Sequence, residues 1–170
     1  MNNNFFLRQL SPDDGKEFYE MLLHIGRMEN DFTNPVHDMN YDEYKSWLRT
    51  QDDWSKGDNL PSGYVPQVCY WLMVDNTPVG FGKIRLQLTE KSRMEGGNLG
   101  YAIDERFRGK GYGTKLLELL IDKAQEFHLT NSLVTIKKYN FASKCVAESN
   151  GGKLINETED WWYYDISSNK

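Results

Sequence analysis

The sequence predicts an α/β fold, α+β in its strand pairing: one domain over residues 1–170 with a mixed seven-stranded sheet, largely antiparallel, flanked by about four helices. Three observations carry this. Strand-type and helix-type apolar patterns follow one another in the order strand, two helices, three strands, helix, strand, helix, two strands. Two neighbouring strand patterns, 67–74 and 78–88, meet at Asp75-Asn76-Thr77, a turn that makes them a hairpin. A glycine-rich stretch, Arg108-Gly109-Lys110-Gly111-Tyr112-Gly113-Thr114, joins a strand-like run to a helix-period pattern.

Taken in order, Phe5-Phe6-Leu7-Arg8-Gln9-Leu10 reads as the first strand. Ser11-Pro12-Asp13-Asp14 supplies a helix start, with a cap, an early proline and acids in the first turn. Phe18, Met21, Leu22 and Ile25 carry that helix on. After a polar loop from Asn30 to Pro35, Asn40 and Glu43 form a capping box for a helix bearing Tyr44, Trp47 and Leu48. Residues 54–66, rich in Gly, Asn, Ser and Pro, read as loop. In the second strand of the hairpin, Lys83, Arg85 and Gln87 alternate with Ile84, Leu86 and Leu88, as on a half-buried strand. Residues 90–97 are a polar connection to a strand over 98–103. Beyond the glycines, Leu116, Leu117, Leu119, Leu120, Ile121 and Ala124 trace an amphipathic helix. Residues 133–136 form a short strand. A helix then runs from Asn140 to the stop Asn150-Gly151-Gly152, and strands 153–155 and 161–166 close the chain.

The net charge of −5 argues against nucleic acid or an anionic membrane as the main partner. No apolar run approaches the roughly 20 residues that span a bilayer. Met1-Asn2-Asn3-Asn4 lacks the basic and apolar regions of a signal peptide, so a cytoplasmic location is expected. Cys69 and Cys145 are too few for a disulfide framework and read as buried thiols. His24 and His37 stand alone, without a Cys or His at ligand spacing, so no metal site is expected. Trp161-Trp162-Tyr163-Tyr164 reads as core and pocket wall, since no basic residues interleave with it.

The glycine stretch carries the chemistry. Glycines reach φ > 0 and let a ligand approach the main chain. Successive N–H groups there converge on an anion, and a helix start adds its positive dipole end. A bare strand-to-helix turn needs fewer glycines. A P-loop would end Gly-Lys-Ser/Thr, but here the order is Gly113-Thr114-Lys115. A dinucleotide loop would place a third glycine where Thr114 stands, and an acid where the next strand ends in Lys137-Lys138.

The pattern Arg-x-x-Gly-x-Gly, strand before and amphipathic helix after, resembles the acyl-CoA loop of the GCN5-related N-acetyltransferase (GNAT) family. Asn140-Phe141-Ala142-Ser143, then Glu148 and Gly151-Gly152, resembles that family's later helix. The likeness covers roughly 68–166 in order and spacing. Tyr64-Val65-Pro66-Gln67 and Gly96-Gly97-Asn98-Leu99-Gly100-Tyr101 resemble a branch of predicted acetyltransferases.

The resemblance implies a fold whose fourth and fifth strands splay, and acetyl-CoA as co-substrate. It implies that the amides of Lys110, Gly111, Tyr112, Gly113 and Thr114 hold the CoA pyrophosphate, with Gly109 in the same loop and Arg108 at its entrance. Tyr101, Ala102 and Ile103 would pair with the pantetheine amides, an N–H near Tyr101 polarising the thioester carbonyl. Asn140 would bond the pantetheine arm, while Ser143 and Lys144 would approach the adenosine end. Two positions depart from the family. The tyrosine that many members carry seven residues after the helix asparagine is Ala147 here, and the strand glutamate of others falls near Gly97. Glu95 as base and Tyr139 as acid stand in as candidates.

The implied activity is transfer of the acetyl group to a primary amine of a small molecule or a protein, by a monomer or homodimer. The alternative is an acyl-CoA-binding sensor without turnover. The acceptor pocket is expected from about residues 25–65, where Glu29, Asp31, Asp38 and Tyr64 would attract a cation.

Overall fold

A computed structural model describes residues 2–29 and 32–168. Strands β1 (Phe5–Gln9), β4 (Gln67–Val74), β5 (Thr77–Arg85) and β6 (Leu99–Ile103) form an antiparallel sheet in the order β1-β4-β5-β6. Strands β7 (Asn131–Lys137), β8 (Lys153–Glu157) and β9 (Trp161–Ser167) form a second, in the order β7-β9-β8. The seven expected strands are thus divided between two sheets. A two-residue hairpin, β2 (Met28–Glu29) and β3 (Phe32–Thr33), adds a small flap in what reads from sequence as loop.

The main sheet is a central layer because β4 is apolar on both faces. Val68, Tyr70, Leu72 and Val74 point to one side, Cys69, Trp71 and Met73 to the other, as a period of two requires. The first side packs against helix α4 (Tyr112–Glu126) through Leu116, Leu117, Leu120 and Ile121, and this core continues into Val134, Ile136, Tyr164 and Ile166 of the second sheet. The other side packs against α1 (Lys16–Leu23) and α2 (Tyr41–Ser55) through Phe18, Met21, Leu22, Tyr44 and Leu48. Each such side chain, fully buried, contributes on the order of 1.5–3 kcal/mol.

Four local expectations change. The first helix starts at Lys16, not near Pro12. The carboxylate of Asp14 instead accepts from the Ser11 amide (2.7 Å), Arg8 (2.6 Å) and the Trp71 indole (2.6 Å), which folds 11–14 into a turn. The connection 90–97 contains a short helix, α3 (Glu90–Met94), capped reciprocally by Thr89 and Ser92, so the described residues hold five α-helices rather than about four. The loop expected from Trp54 begins later, because α2 runs on to Ser55 behind the Asn40–Glu43 box. Cys69 is buried, but Cys145 is exposed on α5 (Phe141–Ser149), since that helix turns Ala147 to the core. No described helix is long and apolar enough to cross a membrane.

Candidate functional site

The two sheets meet at one point and part from there. Asn98, 4 % exposed, is the clasp. Its N–H donates to the Leu133 carbonyl and its Oδ1 accepts from the Leu133 amide, both at 2.8 Å. Its Nδ2 donates to the Arg85 carbonyl at 3.1 Å, and its own carbonyl accepts from the Arg85 amide at 2.7 Å. One side chain therefore joins β5, β6 and β7. Gly97 beside it has φ +59°, and a Cβ there would lie 2.3 Å from the Leu133 oxygen, so only glycine lets the strands close at this vertex.

Beyond the vertex β6 has an open edge. The Asn98–Arg85 bond and the Asp104 amide bonded to the Val79 carbonyl (3.0 Å) fix which residues exchange hydrogen bonds with β5: positions 98, 100, 102 and 104. Leu99, Tyr101 and Ile103 turn their main chain the other way, toward β7. Arg108 takes the Ile103 carbonyl (2.9 Å), which leaves both polar groups of Tyr101 and the Ile103 N–H on the gap. A cleft of about 1230 Å³ occupies this gap and continues across the sheet under α2 and β3.

At the outer end of β6 the chain enters the glycine stretch. Gly109 and Gly111 have φ +74° and +77°, and a Cβ on either would meet nothing within 4 Å. These glycines are there for their backbone angles and not for packing. Gly111 is the N-cap of α4 with no side-chain cap, so the first amides of that helix face outward beside the cleft. Unsatisfied amides at the positive end of a helix are an anion site, sized for a phosphate or pyrophosphate.

The expected ligand residues distribute unevenly around this frame. Tyr101, Ile103, Arg108, Gly109, Gly111, Tyr112, Gly113, Thr114, Asn140 and Ser143 line the cleft. Lys110 is not among the residues lining the cleft, and its ammonium lies 5.4 Å over the Phe107 ring. Ala102 lines the cleft but gives its amide to β5, so the expectation that it pairs with a ligand is corrected. Ser143 does not lie at the outer end. Its hydroxyl is 2.6 Å from the Tyr101 phenol, within the gap, and burial pushes that phenol's pKa up to about 12. Lys144 sits on another face of α5, with its ammonium 4.7 Å over Trp162, and is not among the residues lining the cleft. Asn140 caps α5 by accepting from the Ser143 amide (3.1 Å). Glu95 is exposed at the end of α3 and lines the cleft. Tyr139 is 64 % exposed and does not line it, because the turn before α5 points it outward.

The expected acidic acceptor pocket is also redrawn. Glu29 is clamped by Arg108 at 2.5 and 3.2 Å, which holds its carboxyl below the usual range. Asp38 pairs with Arg27 at 2.6 Å and is not among the cleft residues. Asp31 lies outside the described residues. Tyr64 does line the cleft, its ring 5.2 Å from that of Trp54 and tilted 54° to it. The floor is instead cationic. Lys83 and Arg85 rise from β5 on the face shared with Phe81, walled by Phe32, Trp47 and Trp54. Burial drives the Lys83 pKa down to about 8, and Arg85 adds to the effect. The sequence signal was there, in the alternation of Lys83 and Arg85 with Ile84, but it reads as a solvent face when it is a cleft face. Among the described residues no group of His, Cys, Asp and Glu is placed to hold a metal ion.

A family profile described as "Acetyltransferase (GNAT) domain" matches residues 4–153. Solved structures share the fold at low identity. The acetyltransferase from Salmonella typhimurium that modifies the N-terminal serine of ribosomal protein L7/L12 is 17 % identical, with a TM-score of 0.69 over 97 % of this chain and 95 % of that one. The Campylobacter jejuni N-acetyltransferase PseH in complex with acetyl coenzyme A is 14 % identical, with a TM-score of 0.63 over 96 % and 99 %. The microcin C7 self-immunity acetyltransferase MccE, in complex with acetyl-CoA and AMP, is 14 % identical, with a TM-score of 0.73 over 98 % and 93 %. No curated protein is close enough in sequence to count as a match.

Proposed function

The chain belongs to the GNAT acetyltransferase family, and from that premise we propose that it transfers the acetyl group of acetyl-CoA to a primary amine of a small molecule or protein. The observation that carries this is the open edge of β6 running into the uncapped start of α4. An acyl-CoA matches such a path: a diphosphate for the helix start, an amide-bearing arm for the strand edge and a thioester for the vertex. The amides of Gly111, Tyr112, Gly113 and Thr114 hold the diphosphate. Tyr101 and Ile103 pair with the arm, and Asn140 fixes its far side.

The acceptor amine attacks the thioester carbonyl directly. Its approach is from the α1–α2 side of the sheet, through the part of the cleft floored by Lys83. The Tyr101 N–H stabilises the oxyanion, and orientation supplies most of the remaining gain. The ammonium form of the acceptor must first lose a proton, and Glu95 is the cleft carboxylate we assign as its base. For the leaving thiolate, the paired hydroxyls of Tyr101 and Ser143 replace Tyr139 as donors, since they lie in the gap. Ala147 has no part in this, being fully buried. The setting we propose is cytoplasmic, as a monomer or homodimer, without nucleic-acid, membrane or metal partners.

Thiol release from acetyl-CoA over a panel of amines tests the reading. Saturable release with at least one amine is expected. Saturable acetyl-CoA binding with no release on any amine would leave only a sensor.

A further inference from the structure

Two half-buried cations, Lys83 and Arg85, stand on the floor of the cleft without an ion pair among the described residues. Lys83 leaves β5 and crosses Gly100, where a Cβ would lie 3.0 Å from its Cε. Its ammonium ends 5.2 Å from the Phe32 ring centroid. Among the described residues no carboxylate lies within 4.0 Å of it and no hydrogen bond reaches it. Arg85, two residues on and on the same face, spends one nitrogen on the carbonyls of Gly96 (3.3 Å) and Gly97 (3.2 Å) and likewise has no acid within reach. The described cleft acids are Glu29, Glu43 and Glu95; Glu29 is committed to Arg108, and none of the three lies within 4.0 Å of either cation. Of the uncharged cleft residues on the neighbouring strand, Gln67 donates to Gln51 at 2.8 Å, beside Cys69.

A half-buried ammonium without an ion pair is costly in proportion to its desolvation, and a second cation on the same face raises that cost. The diphosphate site lies at the far end of β6, so it does not supply the missing charge. The position of Lys83 says what would. It stands on the acceptor side of the sheet, over the residue next to Tyr101.

We propose that the acceptor is an amine that also carries an anionic group, a carboxylate or a phosphate, and that Lys83 with Arg85 holds this anion while the amine faces the thioester. The proposal rests on the transferase reading and narrows its substrate class. A guanidinium and an ammonium on one strand face suit either anion. The same positive field favours the neutral form of the attacking amine.

The test uses two matched pairs on CoA-saturated protein, followed by calorimetry: L-phenylalanine against its amide, and phosphoethanolamine against ethanolamine. In at least one pair the charged member binds about tenfold tighter or more. The pair with the larger preference identifies carboxylate or phosphate. Lys83→Gln removes the preference, Lys83→Arg keeps it, and neither changes acetyl-CoA affinity. Equal or undetectable binding across both pairs, or a preference that survives Lys83→Gln, overturns the proposal. Thiol release with the same amines separates the two readings. An anion preference without release contradicts the transferase and leaves the anion site standing. Release that is as fast with the neutral members does the reverse.

Discussion

The two halves of the cleft, which we propose serve the acetyl donor and the acceptor, are built from different material. On the donor side the working groups are main-chain amides: the free edge of Tyr101 and Ile103, and the first turn of α4 behind Gly109 and Gly111. Their aim is set by backbone angles and by a strand pair parted at Asn98. On the acceptor side the groups are side chains, Lys83 and Arg85 on the floor and Phe32, Trp47, Trp54 and Tyr64 around it, drawn from separate elements. The difference teaches where a fixed ligand and a variable one are each recognised. A main-chain site asks little of side-chain identity, so many sequences can keep it. A side-chain site changes with each substitution.

The comparison can be broken first at Gly111. Gly111→Glu puts a carboxylate among the amides, and its side chain enters open space, so the fold survives with a strain of about 1–2 kcal/mol at φ +77°. Acetyl-CoA affinity should fall roughly a hundredfold or more, since two like charges in such a site repel by several kcal/mol. Calorimetry checks the affinity and thermal unfolding checks the fold. A variant that binds as well as wild type would remove the anion site from this loop.

Asn98→Ala tests the vertex. It orphans the Leu133 amide and the Arg85 carbonyl, both of which its side chain serves. A loss of roughly 2–4 kcal/mol of stability is expected in denaturant titration. A loss within about 0.5 kcal/mol, the range of ordinary surface changes, would mean the sheets are joined elsewhere.

Glu95→Gln sharpens the acceptor side. As a general base, its loss should lower kcat/KM by about tenfold to a hundredfold and leave acetyl-CoA affinity unchanged. The deficit should shrink at high pH, where the amine is already neutral. A pH-independent deficit would make Glu95 a structural contact only.

The smallest effect concerns stability. Lys83 titrates near 8 in the folded protein and near 10.5 when unfolded. Below pH 8 both states are protonated and the full cost of the buried charge is present. Between about pH 8 and 10.5 the folded state sheds the proton first, so wild-type stability rises across that window. Arg85 on the same strand stays charged there, Cys69 on β4 stays a thiol up to about 12, and the Tyr101 phenol on β6 stays neutral to a similar pH. Glu29, Glu43 and Glu95 are the cleft acids. Lys83→Met should therefore stabilise the ligand-free protein at pH 7 by about 1 kcal/mol, a gain that fades between about pH 8 and 10.5. Thermal melts at pH 7 and pH 10 measure both arms, and a destabilised variant at pH 7 would mean Lys83 has a partner in the folded chain.

The backbone of the glycine loop was legible in the sequence because glycine is the residue that left-handed angles require. Gly109 and Gly111, two of the three before the amphipathic helix, take such angles. The β4–β5 hairpin was equally readable, from two strand-like runs meeting at Asp75-Asn76-Thr77, as was the Asn40–Glu43 box. The acceptor half was not. Its residues lie far apart in the chain, and their meaning depends on which face of β5 the α1–α2 layer covers. Lys83 looks like any outward lysine until α2 and β3 roof it. Glu29 and Asp38 look available until Arg108 and Arg27 take them. Lys144 and Tyr139 sit at the right chain distance from the glycine loop but do not line the cleft: helix phase turns Lys144 to another face of α5, and the turn before α5 points Tyr139 outward.

The most direct test of the central claim is the amide spectrum of isotope-labelled protein titrated with acetyl-CoA. The amides of Tyr101, Ile103 and Gly111 to Thr114 are expected to shift together and saturably, while Ala102, bonded to β5, moves far less. Shifts confined to another surface, or binding of ATP or NAD with no response to CoA, would contradict that claim.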